Sequence, residues 1–252
     1  MIVHFVGSGP GDPELLTIKA RRLIETCQVL IHAGSLVDEK IVALAPSGAQ
    51  IHDSASMGLP AIIAVIKDAK ARGLDVVRLH SGDPSIYGAI GEQIRELVKL
   101  GIEYDVTPGV SSFQASAAAL GVELTAPEKS QTIILTRMAG RTPVPQEQDI
   151  ERLAATRSTL CVFLSVDKIE ALAQTALRHY GPGAPMAVVF HASRPDQVII
   201  RGGAEQIAEK VKAAGITKTA MIIVGDALGE DGVASKLYDP AFAHGYRAAE
   251  EK

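Results

Sequence analysis

Short β-branched runs alternate along this chain with longer stretches of helical period. That alternation constrains it to an α/β architecture, because strands and helices in series build a largely parallel sheet covered by helices. In the first half the runs fall at residues 2–6, 29–32, 76–80 and 104–107, and helical stretches lie at 13–27, 60–72, 84–100 and 111–120. Gly73, Gly101 and Gly121 stand where a helix C-cap favours a residue that tolerates positive φ. Thr125-Ala126-Pro127-Glu128 breaks the series. A second one follows, with strands at 132–136, 160–165, 186–190, 198–201 and 220–224 and helices at 149–155, 168–179 and 204–214. The expected fold is α/β, with two α/β domains at residues 1–127 and 128–228 whose sheets are mostly parallel. A charged, alanine-rich tail at 229–252 reads as a surface helix or a partly disordered segment.

The chain has 252 residues, of which 47% are hydrophobic and 21% charged, a composition that supports a sizeable core. Its net charge of −4 gives no general attraction to nucleic acid or to anionic lipid, so neither is expected as a partner. No apolar run approaches the roughly 18 residues of a membrane span, and residues 1–7 lack the basic leader and apolar helix of a signal peptide. A cytoplasmic location is expected. Cys27 and Cys161 lie far apart in apolar surroundings and read as reduced, structural thiols.

Gly7-Ser8-Gly9-Pro10-Gly11-Asp12-Pro13 follows the first strand and opens a helix, the position of a dinucleotide-binding loop. The spacing rejects that reading. The third glycine of the dinucleotide fingerprint would fall at Asp12, and a carboxylate capping this helix would repel a pyrophosphate. Two further turns, Ser81-Gly82-Asp83-Pro84 and Pro108-Gly109-Val110-Ser111-Ser112, also follow strands. Three such turns at strand ends would line one ligand crevice.

The seven histidines show neither an i, i+4 pair nor a Cys-x-x-Cys partner, so no metal site is expected. There is no Gly-x-Ser-x-Gly elbow for acyl transfer. His32 and His80 end strands at the proposed crevice, as substrate contacts or as plain strand-end polar residues. Tyr87 reads as a core residue rather than a lid.

These three motifs, at these separations, resemble the tetrapyrrole (corrin/porphyrin) methylases over nearly the whole chain, about residues 1–228. The segments His32-Ala33-Gly34-Ser35-Leu36-Val37 and Ile134-Leu135-Thr136-Arg137-Met138-Ala139-Gly140-Arg141-Thr142-Pro143-Val144-Pro145 are similar to the branch that methylates C-11 of precorrin-4 or its cobalt-containing counterpart. The resemblance implies two α/β domains with the active site in a cleft between them, S-adenosylmethionine as methyl donor, a tetrapyrrole substrate and a homodimer.

Carried over residue by residue, it implies donor contacts at Pro10, Ser81, Gly82, Asp83, Ile86, Ser111 and Ser112, and at Leu164, Ala192 and Ala220 in the second half. Arg137 and Arg141, in a strand-end loop of the branch motif, are candidate partners for substrate carboxylates, as planar guanidinium groups suit them. His32 and Ser35 join them as candidate substrate contacts. The uroporphyrinogen-methylating branch carries an acidic residue and a lysine as presumed base and acid. Here Ala33 or Gly34, and Ser54 or Ala55, stand nearest to those places, so no catalytic acid–base pair is implied. A sulfonium methyl and an enamine-like carbon need mainly in-line placement, an effect that can reach about 7–11 kcal/mol.

Overall fold

The computed structural model describes residues 1–229, 241–243 and 245–247, without the side chain of Ser35, so most of the tail expected at 229–252 lies outside the described residues. Two compact units form: residues 1–119 together with 191–198, and residues 120–190 together with the chain from 199 onward.

The first unit is built on five strands, β1 (Ile2–Gly7), β2 (Val29–His32), β3 (Gln50–Asp53), β4 (Val76–His80) and β5 (Glu103–Thr107). They form one sheet in the order β3-β2-β4-β1-β5, and each pairing is parallel. Helices α1 (Ile18–Glu25), α2 (Glu39–Val42), α3 (Leu59–Ala71), α4 (Ile90–Lys99) and α5 (Ser112–Leu120) connect or follow them. Strand alternation sends Val3, Phe5, Val29, Ile31 and Val76 to one face, where they bury Ile62, Ile63 and Ile66 of α3 and Leu97 of α4. Val6, Leu30, Val77 and Leu79 face the other way, onto Ala20 and Ile24 of α1 and Ile41 of α2. Each fully buried aliphatic side chain of this kind contributes about 1.5–3 kcal/mol.

The helix faces follow from connection order. From β1 and β2 the chain runs toward the β3 edge; from β3 and β4 it runs toward the β5 edge. Right-handed crossovers in opposite directions place α1 and α2 on one face and α3 and α4 on the other.

The second unit holds β6 (Ile133–Arg137), α6 (Ile150–Ala154), β7 (Thr159–Phe163), α7 (Ile169–Tyr180), β8 (Pro185–Phe190), β9 (Val198–Gly203), α8 (Ala204–Ala213) and β10 (Ala220–Val224). Its sheet order is β6-β7-β10-β8-β9. β6 and β7 are parallel, but β10 is antiparallel to both β7 and β8, so this sheet is mixed rather than mostly parallel. The connection from β8 to β9 is also too short for the crossover that a parallel pair needs. Its core runs through Leu160, Val162, Leu172, Ala176, Met186, Val188, Ile207 and Ile222.

The division between the units falls at Ala119–Leu120, whereas the sequence suggests a boundary near residue 127. The stretch beyond Ala119 is tied to the second unit by side chains: the Arg201 guanidinium donates to the Leu120 carbonyl, and Thr159 Oγ1 donates to the Leu124 carbonyl at 2.8 Å. Residues 191–198, the β8–β9 connection with the first residue of β9, belong to the first unit. Both cysteines are free and buried, and burial pushes their thiols up to about 11 for Cys27 and about 12 for Cys161. No described helix is long and apolar enough to cross a membrane.

Candidate active site at the strand ends

β4 and β1 are neighbours whose chains leave toward opposite faces of the sheet, which opens a crevice at their carboxyl ends. The loops that follow them are the first two Gly/Pro motifs. Gly7 pairs in register with His80, and Val6 with Thr107, so the third motif starts from the adjoining strand end.

The three loops meet backbone to backbone. Ser8 N–H donates to the His80 carbonyl at 2.7 Å, and Gly9 and Gly82 exchange N–H···O bonds of 3.2 and 2.8 Å. A Cβ on Gly109 would stand 2.3 Å from the Gly82 oxygen, and one on Gly7 would stand 2.6 Å from it. No side chain fits at either position, so this approach requires glycine. Gly82 differs: its φ is +62°, and an added Cβ would lie 3.6 Å from Ser111 Cα. Conformation, not crowding, selects glycine there.

Asp83 is spent on this assembly. Its Oδ2 accepts the Gly109 N–H at 3.0 Å, and its Oδ1 accepts the Ser85 N–H at 2.8 Å and the Ser85 hydroxyl. Burial raises the carboxyl pKa, but the bonds from the Ser85 hydroxyl, the Gly109 amide and the Ser85 amide outweigh it and leave the group below its ordinary range. The side chain thus fastens the third loop to the second. Asp12 Oδ1 accepts the Glu14 N–H at 2.9 Å and caps a short 3-10 turn.

Four buried polar atoms at these strand ends have no partner: Ser8 Oγ, His32 Nδ1, His80 Nε2 and Thr107 Oγ1. Native interiors leave few such atoms, and each costs about 1–3 kcal/mol unless a ligand or water meets it. His80 is 5% exposed, and burial, aided by the Arg78 charge, pushes its imidazole down to about 3, so it is neutral at physiological pH.

Pro10, Ser81, Gly82, Asp83, Ile86, Ser111 and Ser112 therefore share the carboxyl edge of one sheet. Ala192 belongs to the same unit. Its neighbour Ser193 accepts the Asp12 N–H at 3.1 Å, and Arg194 donates to the Leu36 carbonyl at 2.8 Å with Asp38 3.9 Å away. Leu164 and Ala220 lie in the second unit, at one end of its sheet, where the pairings Arg137↔Phe163 and Phe190↔Ala220 also gather the ends of β6 and β8.

Backbone strain occurs at or beside several of these positions. Non-glycine residues with positive φ include Tyr87 (54°), beside Ile86; Leu164 itself (53°); His191 (47°) and Ser193 (71°), flanking Ala192; and Thr219 (57°), before Ala220. Such strain concentrates where a binding site over-determines the chain. Leu164 is also 70% exposed, unusual for a leucine within a fold. Tyr87, expected in the core, is 47% exposed. Its left-handed backbone turns the side chain out of the path that a helix at 84–100 would give it, since α4 starts only at Ile90.

The substrate candidates fare unevenly. Arg137 donates from Nη1 to the Thr142 carbonyl at 3.1 Å and from Nη2 to the Pro143 carbonyl at 2.8 Å, so its guanidinium braces its own loop. Ser165 and Lys168 hold the same loop at Met138 N–H and the Ala139 carbonyl. Arg141 is exposed, and no described residue engages its side chain. Ser35 sits in the 3-10 turn Gly34–Leu36, and its side chain is outside the described residues.

His32 lines a cavity of about 940 Å³ in the first unit, together with Gly34, Asp38, Lys40, Asp53 and Arg194. His191 and Asp196 also line it, 2.7 Å apart. Arg194 and His191 carry no motif, and only folding of the β8–β9 connection brings them here. No group of three His, Cys, Asp or Glu side chains among the described residues is arranged to hold a metal.

Residues 2–208 match the family described as Tetrapyrrole (Corrin/Porphyrin) Methylases. A cobalt-precorrin-4 C(11)-methyltransferase of Methanocaldococcus jannaschii is 51% identical over 252 residues, covering 99% of this chain and 97% of that protein. A precorrin-4 C(11)-methyltransferase of Pseudomonas aeruginosa is 47% identical over 251 residues, covering 99% of this chain and all of that protein (100%). Among solved structures, a cobalt precorrin-4 methyltransferase superposes with TM-score 0.88 at 37% identity, covering 90% of this chain and 96% of that one. The uroporphyrin-III C-methyl transferase of Thermus thermophilus, in complex with S-adenosyl homocysteine, superposes with TM-score 0.74 at 31% identity over 92% of this chain and 97% of that one. With the family match spanning most of its length and full-length relatives near half identical, this chain belongs to the tetrapyrrole (corrin/porphyrin) methylases.

Proposed function

We propose that this chain transfers the methyl group of S-adenosylmethionine to C-11 of precorrin-4 or of its cobalt-containing counterpart, as a cytoplasmic homodimer. The observation that carries the reading is the set of three loops joined by Gly7, Gly82 and Gly109 at the β1/β4 switch point. Relatives named for both forms of the substrate match nearly the whole chain, which favours C-11 over another ring position.

The residues present suit the donor. The glycine cradle brings the main chains of the three loops together at the crevice, and the unpartnered Ser8, Thr107 and His80 atoms lie buried at the same strand ends. Pro10, Ser81, Gly82, Asp83, Ile86, Ser111, Ser112, Leu164, Ala192 and Ala220 would hold it. When bound, the donor supplies an electrophilic methyl on a neutral leaving group. The chain's part is to place that methyl in line with C-11 and to exclude water. A neutral His80 adds no charge against a sulfonium.

Arg141, His32 and Ser35 are the proposed substrate contacts, with Arg137 bracing the loop that carries Arg141. The cavity beside His32 holds Asp38, Glu39, Asp53 and Asp196 against Lys40 and Arg194, so charge alone does not draw a polycarboxylate into it.

The test is incubation with precorrin-4, with and without cobalt, and donor labelled at the methyl. Mass spectrometry and NMR should find one label at C-11. Label at another carbon, or none from folded protein that binds S-adenosylhomocysteine, overturns the assignment.

A further inference from the structure

Arg78 stands in the middle of β4 and is 5% exposed. Burial lowers its guanidinium to about 10, so it remains a cation at neutral pH. Among the described residues no carboxylate pairs with it. Its Nε donates to Gln93 Oε1 at 3.1 Å and its Nη1 to the Ile31 carbonyl at 3.3 Å. Gln93, on α4 and 4% exposed, passes the contact on: its Nε2 donates to the Ala89 carbonyl at 3.3 Å.

Ala89 ends an awkward turn. Tyr87 and Ala89 both have left-handed φ, 54° and 50°, and a Cβ on Gly88 between them would stand 2.2 Å from the Pro84 oxygen. Ala89 also occupies the N-cap of α4 with no side-chain cap bond. A non-glycine residue holds this conformation only when its surroundings impose it. The turn continues directly from the Ser81-Gly82-Asp83 loop.

We propose that Arg78 and Gln93 are positioning residues for the donor-binding loop: the buried guanidinium orients the Gln93 amide, which grips the Ala89 carbonyl and holds the strained turn 84–89 in place. The inference rests on the reading that this loop binds the methyl donor. Stability alone does not account for the arrangement, since an apolar pair of similar volume commonly serves a core as well as buried charge does. Both ends of the amide are committed, the oxygen to Arg78 and the nitrogen to Ala89, so its orientation is unique.

Gln93→Glu separates grip from packing. A carboxylate keeps the acceptor for Arg78 but has no N–H for Ala89. Calorimetry with S-adenosylhomocysteine should show at least 10-fold weaker binding than wild type, with Tm at or above the wild-type value. Ala89→Gly, which removes the strain, should recover part of that affinity when added to Gln93→Glu. Unchanged affinity in Gln93→Glu, or no recovery with Ala89→Gly, overturns the proposal. Should Gln93→Glu not fold, the double variant Arg78→Met with Gln93→Leu is judged by the same affinity loss at preserved Tm. Failure of the wild-type protein to bind S-adenosylhomocysteine would instead remove the underlying reading.

Discussion

The side chain of Arg194 lies where a side chain on Gly11 would begin: its Cγ is 2.5 Å and its Nε 2.7 Å from the position of a Gly11 Cβ. Gly11→Ala should therefore displace Arg194 and, together with the backbone strain of φ +149°, cost about 1–3 kcal/mol. Adding Arg194→Ala should relieve the clash. Urea denaturation of the two single variants and the double should give a combined loss smaller than the sum by at least about 0.5–1 kcal/mol. Simple additivity would show that the two do not touch in solution.

Gly109 and Gly82 are glycines for different reasons, so alanine should affect them unequally. At Gly82 alanine meets a positive φ but only ordinary contacts, a penalty of about 1–2 kcal/mol. At Gly109 it collides with the Gly82 oxygen, and the three-loop assembly must open. Gly109→Ala should abolish S-adenosylhomocysteine binding, while Gly82→Ala weakens it. Calorimetry on both variants decides this, and equal effects would count against the close approach.

Arg137 and Arg141 should separate in kinetics. Arg141→Ala should raise KM for the tetrapyrrole about 10-fold, for the loss of a charge-assisted bond of about 1.5–3 kcal/mol, and flatten the dependence of KM on salt. Arg137→Ala should lower Tm and activity together and leave the salt dependence as it is, because its donors serve the Thr142 and Pro143 carbonyls. A salt-sensitive KM effect in Arg137→Ala alone would reverse the two roles.

Glu151 gives the second unit an acid-sensitive contact. Bonds from Arg178, then Thr175, and to a lesser degree His179, hold its carboxyl down to about 2, outweighing burial. A depressed carboxylate stabilises the fold above its unfolded pKa of about 4.5, and the contribution fades as pH falls from there toward 2. Partial exposure and screening limit it to about 1 kcal/mol. Glu151→Gln should lower the urea midpoint at pH 7, with the difference shrinking below pH 4.5 and nearly gone at pH 2. A difference independent of pH would exclude the electrostatic cause.

Much of the first sheet is legible in the sequence because β1, β2, β4 and β5 carry apolar or β-branched runs followed by Gly/Pro turns. β3 is not, since Gln50-Ile51-His52-Asp53 has one apolar residue and lies at a sheet edge, where a second buried face is not required. α2, with four residues, is too short for a period. The helix expected over 84–100 begins only at Ile90, because Tyr87 and Ala89 take left-handed φ, a conformation that residues of these types do not signal in the sequence. The loops of the candidate site are visible as motifs. Arg194 is not: it reaches the Leu36 carbonyl from the far half of the sequence. The guanidinium of Arg137 looks available in the sequence because its partners are main-chain carbonyls a few residues on, and carbonyls leave no mark there.

The presence of residues 191–198 in the first unit has a consequence for how the protein is made. A ribosome releases residues 1–119 well before Ser193 and Arg194 exist, so during that interval the Asp12 amide and the Leu36 carbonyl lack these protein partners. The nascent sheet can form, but the loop at 7–13 waits for the second half to be translated. For the same reason no contiguous gene fragment encodes the first unit alone, and a polypeptide ending at residue 119 would carry an unfinished 7–13 loop on a finished sheet.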